Sequence, residues 1–233
     1  MYGNTKSLNT LDKVIKFSKS KEIKKGRLIY CPPNTLISSF FKKFQNCLID
    51  IGAQNCHEND DYGPHTGFVN SKMLKNIGAN YVIIGHSENR GKGETNKLIN
   101  QKIKSAIRAK LKVILCIGET LLEKKRGKTK SVLSKQIKLC LSKINKKTNL
   151  FIAYEPVWSI GTGKIPKITE LKDSIKFIKS KFKKKMPKIL YGGSVSPKNI
   201  NNLKMIKDLD GFLIGGASQN SKNFIDIVKK TYN

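Results

Sequence analysis

The segment Leu150-Phe151-Ile152-Ala153-Tyr154-Glu155-Pro156-Val157-Trp158-Ser159-Ile160-Gly161-Thr162-Gly163-Lys164 passes straight from a short apolar run into a carboxylate and then into a loop. Leu150–Ala153 reads as a strand: a brief apolar run bounded by turn-forming residues fits a pleated, buried element. Glu155 then stands at the C-terminal end of that strand, the rim where barrels of parallel strands carry their catalytic groups. The loop opens on a Pro-Val-Trp hinge, has a small tip with Gly161 and Gly163, and meets a second proline at Pro166. Such a loop fits a lid that closes over a substrate and excludes water. A lone Glu at a strand end is more often a surface residue; beside this loop it is a candidate base.

Six other runs share the character of the first: Leu28–Cys31, Cys47–Ala53, Tyr81–Ile84, Val113–Ile117, Ile189–Tyr191 and Phe212–Ile214. Between them the apolar residues fall at helical spacing, as in Leu8, Leu11, Ile15; Ile99, Ile103, Ala106, Ile107; Leu133, Ile137, Cys140, Leu141, Ile144; and Ile168, Leu171, Ile175, Ile178, Phe182. Further helices are predicted after Asn34, Asn70, Ser196 and Ser221. Seven strands alternating with eight helices predict an α/β fold with a parallel sheet covered by helices. That is a (β/α)8 barrel with its first β-strand missing from the chain, which opens on a helix. No composition shift marks a second domain, so 1–233 reads as a single barrel domain.

Ile83-Ile84-Gly85-His86-Ser87-Glu88 puts His86 directly after a strand and therefore at the same mouth. A lone histidine is more often an ordinary core or surface imidazole, and His57 and His65 read that way; Cys56-His57 lacks a third ligand. Tyr191-Gly192-Gly193-Ser194-Val195 and Ile214-Gly215-Gly216-Ala217-Ser218 each close a strand and open toward a helix. Glycines there let backbone N–H groups approach an anion, and two such turns on the last two strands match the phosphate site common in these barrels.

Composition bounds the rest. Hydrophobic residues at 38% with charged residues at 27% fit a globular chain and exclude collagen-like, mucin-like or disordered classes. The 46 Lys+Arg against 16 Asp+Glu leave a net charge of +30, yet only four of the basic residues are Arg. The lysines spread from Lys6 to Lys230, and the runs Lys124-Lys125-Arg126 and Lys183-Lys184-Lys185 lack interleaved aromatics. Nucleic-acid surfaces favour Arg forks and stacking rings, so the excess reads as diffuse and argues against a nucleic-acid partner, while still attracting small phosphate esters. The five cysteines, Cys31, Cys47, Cys56, Cys116 and Cys140, form no CxxC pair and read as reduced thiols of a cytosol. No run approaches the roughly 20 apolar residues of a spanning helix, and Met1-Tyr2-Gly3-Asn4-Thr5-Lys6 has no secretory core. A cytoplasmic protein without a membrane partner is expected.

Seven segments together resemble the triosephosphate isomerase family: Gly52-Ala53-Gln54-Asn55, Thr66-Gly67, Gly85-His86-Ser87-Glu88, Cys116-Ile117-Gly118-Glu119-Thr120, Tyr154-Glu155-Pro156-Val157-Trp158, Tyr191-Gly192-Gly193-Ser194 and Gly215-Gly216-Ala217-Ser218. They occur in the family's order and cover nearly the whole chain. The resemblance implies a TIM barrel that interconverts dihydroxyacetone phosphate and glyceraldehyde 3-phosphate through an enediolate, with no cofactor and no metal. It implies Glu155 as proton acceptor and neutral His86 as electrophile, a division of labour well known for this family and taken over from it. Gly161, Ser194, Gly215 and Gly216 would bind the phosphate, Cys116 would pack behind the base, and Glu119 would place the lid through Trp158. Thr66-Gly67 resembles the tip of the loop that joins the family's homodimer. Pro64-His65, Phe68, Asn89, Ser159 and Gln219 depart from the usual residues, Phe68 standing where an acidic one is common.

The largest departure is at the N-terminus. The family's first strand ends in Asn-Trp-Lys-Met, and Met1 onward resembles the continuation of that motif, so the substrate-binding Asn and catalytic Lys would lie before residue 1. The expectation is a chain that starts upstream; residues 1–233 alone are expected to have impaired isomerase activity and poor solubility. An inactive truncated barrel, or a basic nucleic-acid-binding protein on the same scaffold, are the alternatives.

Overall fold

The computed structural model describes residues 6–20, 26–144, 149–182 and 186–232. The N-terminal motif Met1–Thr5, the run Lys183-Lys184-Lys185 and the side chain of Leu8 lie outside the described residues. In chain order the elements are α1 (Lys6–Ser18), β1 (Leu28–Tyr30), α2 (Ile37–Phe44), β2 (Ile49–Ala53), α3 (Ser71–Asn76), β3 (Tyr81–Ile84), α4 (Ser87–Gly91), α5 (Asn96–Arg108), β4 (Lys112–Ile117), α6 (Leu121–Lys125), α7 (Thr129–Cys140), β5 (Leu150–Tyr154), α8 (Ile168–Ser180), β6 (Lys188–Tyr191), α9 (Ile200–Lys204), β7 (Gly211–Phe212) and α10 (Ser221–Tyr232).

The seven strands make one sheet in strict sequence order, each pair parallel. A parallel sheet that never reverses its order curls in one sense under its own twist, so all strand C-termini gather at one mouth. Alternate residues divide between two cores. Tyr81, Ile83, Ile114, Cys116, Ala153 and Leu190 fill the inside of the curl. Val82, Ile84, Val113, Leu115, Ile117, Ile152, Ile189 and Tyr191 face the helices. Both faces of the inner strands β3 to β6 are therefore largely buried, which is why these runs read as continuously apolar rather than alternating, while the edge strands β1 and β7 are only partly covered. The helical stripes close the outer layer: Ile99, Ile103, Leu133, Leu171, Ile175 and Ile178 are all fully buried.

All eight predicted helices are present, and two single-turn helices join them. α4 and α6 follow β3 and β4 directly, and each is held by a cap rather than by an apolar stripe. His86 Nδ1 accepts the Glu88 N–H at 3.3 Å. Thr120 Oγ1 accepts the Glu123 N–H at 3.3 Å while the Glu123 carboxylate takes the Thr120 N–H at 2.8 Å, a reciprocal capping box. Strand ends also moved. Cys47 and Leu48 do not join β2, because Asn46 takes φ of 66° and the Cys47 N–H turns back to the Phe44 carbonyl at 3.1 Å.

Among the described residues β1 and β7 are the two edges of the sheet. Tyr30 reaches across the space between them: its hydroxyl donates to the Ser218 carbonyl at 3.1 Å and its ring meets Phe224 edge-on at 5.8 Å. Outside that space α1 packs against α10.

Candidate active site

β5 ends at Tyr154, and the next residue, Glu155, is pinned at the mouth by its N–H donating to the Ile117 carbonyl at 2.8 Å. Its side chain is turned inward, and the residue is 3% exposed. Two glycines make room for it. A Cβ on Gly118 would run into the Glu155 carbonyl, and one on Gly192 would stand 2.6 Å from Glu155 Cγ. Glu155 Oε2 is buried and has no hydrogen-bond partner among the described residues, and Oε1 lies 3.6 Å from His86 Nε2. Burial pushes the Glu155 carboxyl above its ordinary value, and Glu88 adds to the rise; His86, the Cys116 thiol and Arg90 oppose it. A carboxylate displaced toward neutrality is a stronger base than a solvated one.

His86 follows β3 and caps α4. Because its Nδ1 accepts the Glu88 N–H, the ring proton sits on Nε2, the nitrogen facing Glu155. The turn into His86 needs Gly85 at φ 75°, where a side chain would be strained and would press on Arg90. Arg90 itself locks this corner: Nε donates to the Gly85 carbonyl at 2.7 Å, Nη1 to Asn96 Oδ1 at 2.7 Å and Nη2 to the Cys116 carbonyl at 3.1 Å. One guanidinium thus ties the end of β3, which carries His86, to β4, whose Cys116 lies behind the base. No motif in the sequence singles out Arg90. Its signal was scarcity, since in a lysine-rich chain an arginine marks a place where a planar fork is needed.

The lid is tied at both ends. Glu119, fully buried, accepts the Trp158 indole N–H at 3.0 Å and the Tyr154 hydroxyl at 3.2 Å, while its carbonyl takes the Val157 N–H at 3.0 Å. Burial raises the Glu119 carboxyl, and the Trp158 N–H works against that rise. Lys124 stands 4.0 Å over the indole ring. The tip, with Gly161 at φ 70° and Gly163 at φ 75°, lies on the loop after β6. There the Gly163 N–H donates to Ser194 Oγ at 3.0 Å and Ser194 Oγ donates to the Ser159 carbonyl at 2.6 Å.

Gly215 and Gly216 follow β7 at the same end of the sheet. Gly216 opens a short 3₁₀ turn through Gln219, closed by the Ser218 N–H and hydroxyl on the Gly215 carbonyl at 2.9 and 2.7 Å. A Cβ on either glycine would meet nothing within 4 Å, so their peptide groups border open space. The first N–H groups of such a turn have no partner within it and suit an anion.

The loop containing Thr66 lies apart from this mouth. His57, His65 and Phe68 pack there as tilted rings, with centroids 4.9 Å apart between the two histidines and 4.6 Å between His57 and Phe68. The departures at His65 and Phe68 are thus one packed unit. Among the described residues no cluster of His, Cys, Asp and Glu is placed to hold a metal ion, and no helix is long and apolar enough to cross a membrane.

A sequential parallel sheet with a buried carboxylate facing an imidazole and glycine-lined loops at the strand ends has the layout of a barrel enzyme with its site at the mouth. The triosephosphate isomerase family model matches residues 1–231. The triosephosphate isomerase of Mycoplasmopsis pulmonis is 45% identical over 199 residues, covering 84% of this chain and 79% of its own. That of Chlamydia trachomatis is 38% identical over 244 residues, covering 99% and 89%. The crystal structure of triosephosphate isomerase from Bartonella henselae superposes with a TM-score of 0.89 at 35% identity, covering 100% of this chain and 96% of its own. The chain belongs to the triosephosphate isomerase family. It is an isomerase of the dihydroxyacetone phosphate and glyceraldehyde 3-phosphate pair, a glycolytic step.

Proposed function

We propose that Glu155 and His86 carry out this interconversion. Glu155 takes the proton from the carbon next to the carbonyl of dihydroxyacetone phosphate. The Nε2–H of His86 donates to the carbonyl oxygen as it gains charge, which stabilises the enediolate. The protonated Glu155 then returns the proton to the neighbouring carbon, and the hydroxyl proton passes between the two oxygens through His86. The observation that carries this reading is the 3.6 Å approach of Glu155 Oε1 to His86 Nε2, with the base buried and the proton-bearing nitrogen facing it.

The phosphate is held by the N–H groups of Gly161, Gly215 and Gly216 and by Ser194. Lid closure keeps water from the enediolate, the gating role for which this family is a standard case. The diffuse positive charge draws the dianionic ester toward the mouth. The protruding loop around Thr66, with Phe68 61% and Tyr62 66% exposed, inserts into a second copy of the chain to form a homodimer. The thiols, none of them in a disulfide among the described residues, fit a cytoplasmic enzyme.

The test is an isomerase assay with solvent deuterium. Wild type should convert either triose phosphate and incorporate deuterium at the carbon that is reprotonated, and Glu155→Gln should lose both. Isomerisation by Glu155→Gln at the wild-type rate would remove Glu155 from the role of base.

A further inference from the structure

We infer that the hydroxyl of Ser159 is a latch for the lid, a positioning group that raises the closed population and so sets how tightly a phosphate-bearing ligand is held. The inference rests on the lid reading above and deepens it. Ser159 is fully buried at the start of the lid. Its Oγ donates to the Lys164 carbonyl at 2.6 Å, which joins the first part of the lid to its far end. A hydroxyl has one proton to give, so the Tyr191 hydroxyl, 3.1 Å away, donates to Ser159. The Ser194 N–H also donates to Ser159 Oγ, at 3.3 Å. One donor and two acceptor positions are therefore all used.

The two groups that donate to Ser159 belong to β6 and the loop after it, not to the lid. Gly193 keeps this space open, since a Cβ there would stand 2.6 Å from Ser159 Oγ. When the lid lifts, water can replace every one of these partners for Ser159. With the lid seated and the hydroxyl removed, the Tyr191 hydroxyl, on a fully buried side chain, is left short of a partner among the described residues. The hydroxyl thus favours the seated lid over the lifted one, which is the condition for a population shift. Alanine at this position would leave Ser194 and Glu119 as the lid's hydrogen-bond partners among the described residues.

The test uses the full 233-residue chain with 2-phosphoglycolate as probe. Trp158, the chain's only tryptophan, sits in the lid hinge, so its emission reports the lid directly. Ser159→Ala should raise the Kd for 2-phosphoglycolate and the KM for dihydroxyacetone phosphate about tenfold. It should leave kcat within about threefold and shift unliganded Trp158 emission toward that of a solvated indole. Tyr191→Phe, which removes only the partner hydroxyl, should weaken the probe severalfold, and the double variant should add little to Ser159→Ala. Wild-type Kd and emission in Ser159→Ala, or strictly additive effects of the two substitutions, would overturn the latch. If wild type binds the probe without isomerising, while Ser159→Ala binds it more weakly, the latch stands and the catalytic reading falls.

Discussion

Gly192 backs directly onto Glu155: a Cβ at Gly192 would stand 2.6 Å from Glu155 Cγ and 2.8 Å from Oε1. The glycine after β6 therefore sets where the carboxylate on β5 can lie, and neither strand alone does so. Gly192→Ala should push the base off its line toward the substrate carbon. Displacement of about 1 Å costs on the order of a hundredfold in rate. The expected outcome is kcat lower by about that factor, with KM and far-ultraviolet circular dichroism near wild type. Steady-state kinetics check it.

Glu155 also sets a pH dependence. Burial raises its carboxyl in the folded protein above the unfolded value. Stability from the neutral form is then full below the unfolded pKa and lost as pH rises through the folded one. Activity runs the other way, because the base must be ionised, so kcat/KM should fall as pH drops through that same raised value. Glu155→Gln, neutral at every pH, should lose about two to four orders of magnitude in kcat. It should also melt at a higher temperature than wild type at pH 8 and at a similar one at acid pH. Thermal melts at the two pH values decide it; a lower melting temperature at pH 8 would be the wrong sign.

Arg90 predicts a stability change from a nominally conservative substitution. Its fork serves the Gly85 carbonyl, Asn96 Oδ1 and the Cys116 carbonyl at once. A lysine ammonium cannot span all three, and each acceptor left short in the interior costs about 1–3 kcal/mol. Arg90→Lys should therefore lower unfolding free energy by at least about 1 kcal/mol and reduce kcat through His86. Urea titration with parallel kinetics measures both.

The loop around Thr66 gives a prediction about assembly. Phe68 is 61% exposed while its ring packs at a tilt on His57, so its outer face is free to meet a second copy. Phe68→Asp should weaken self-association at least tenfold without changing the fold of the protomer. Sedimentation equilibrium checks it, and a wild type that remains monomeric at micromolar concentration would end the dimer proposal.

Much of the architecture could be read from single residues because burial on both faces leaves a local mark. β3, Tyr81–Ile84, is apolar at every position since its residues alternate between the inner core and the helix-facing core. α5 shows its stripe because one face packs on the sheet and the other is wet. α4 and α6 were not legible, since a single turn has no period and rests on a cap whose partner lies three residues or fewer away. Arg90 escaped because its partners include the carbonyls of Gly85 and Cys116, and a carbonyl has no residue identity. In the sequence Ser159 is only a departure from the usual residue, since its hydroxyl gains its meaning from Tyr191 and Ser194 across the mouth.

From its own local chemistry the chain determined which segments are strands and helices, their order, and a Glu and a His each stationed at a strand end. Those properties depend on side-chain shape and hydrophobic period, which neighbouring residues settle between themselves. Only the tertiary structure decided that Glu155 and His86 face each other, that Gly192 backs the base, and that Ser194 receives the lid. Each of those depends on the register and curl of parallel strands from distant parts of the chain, fixed by the packing of both cores together.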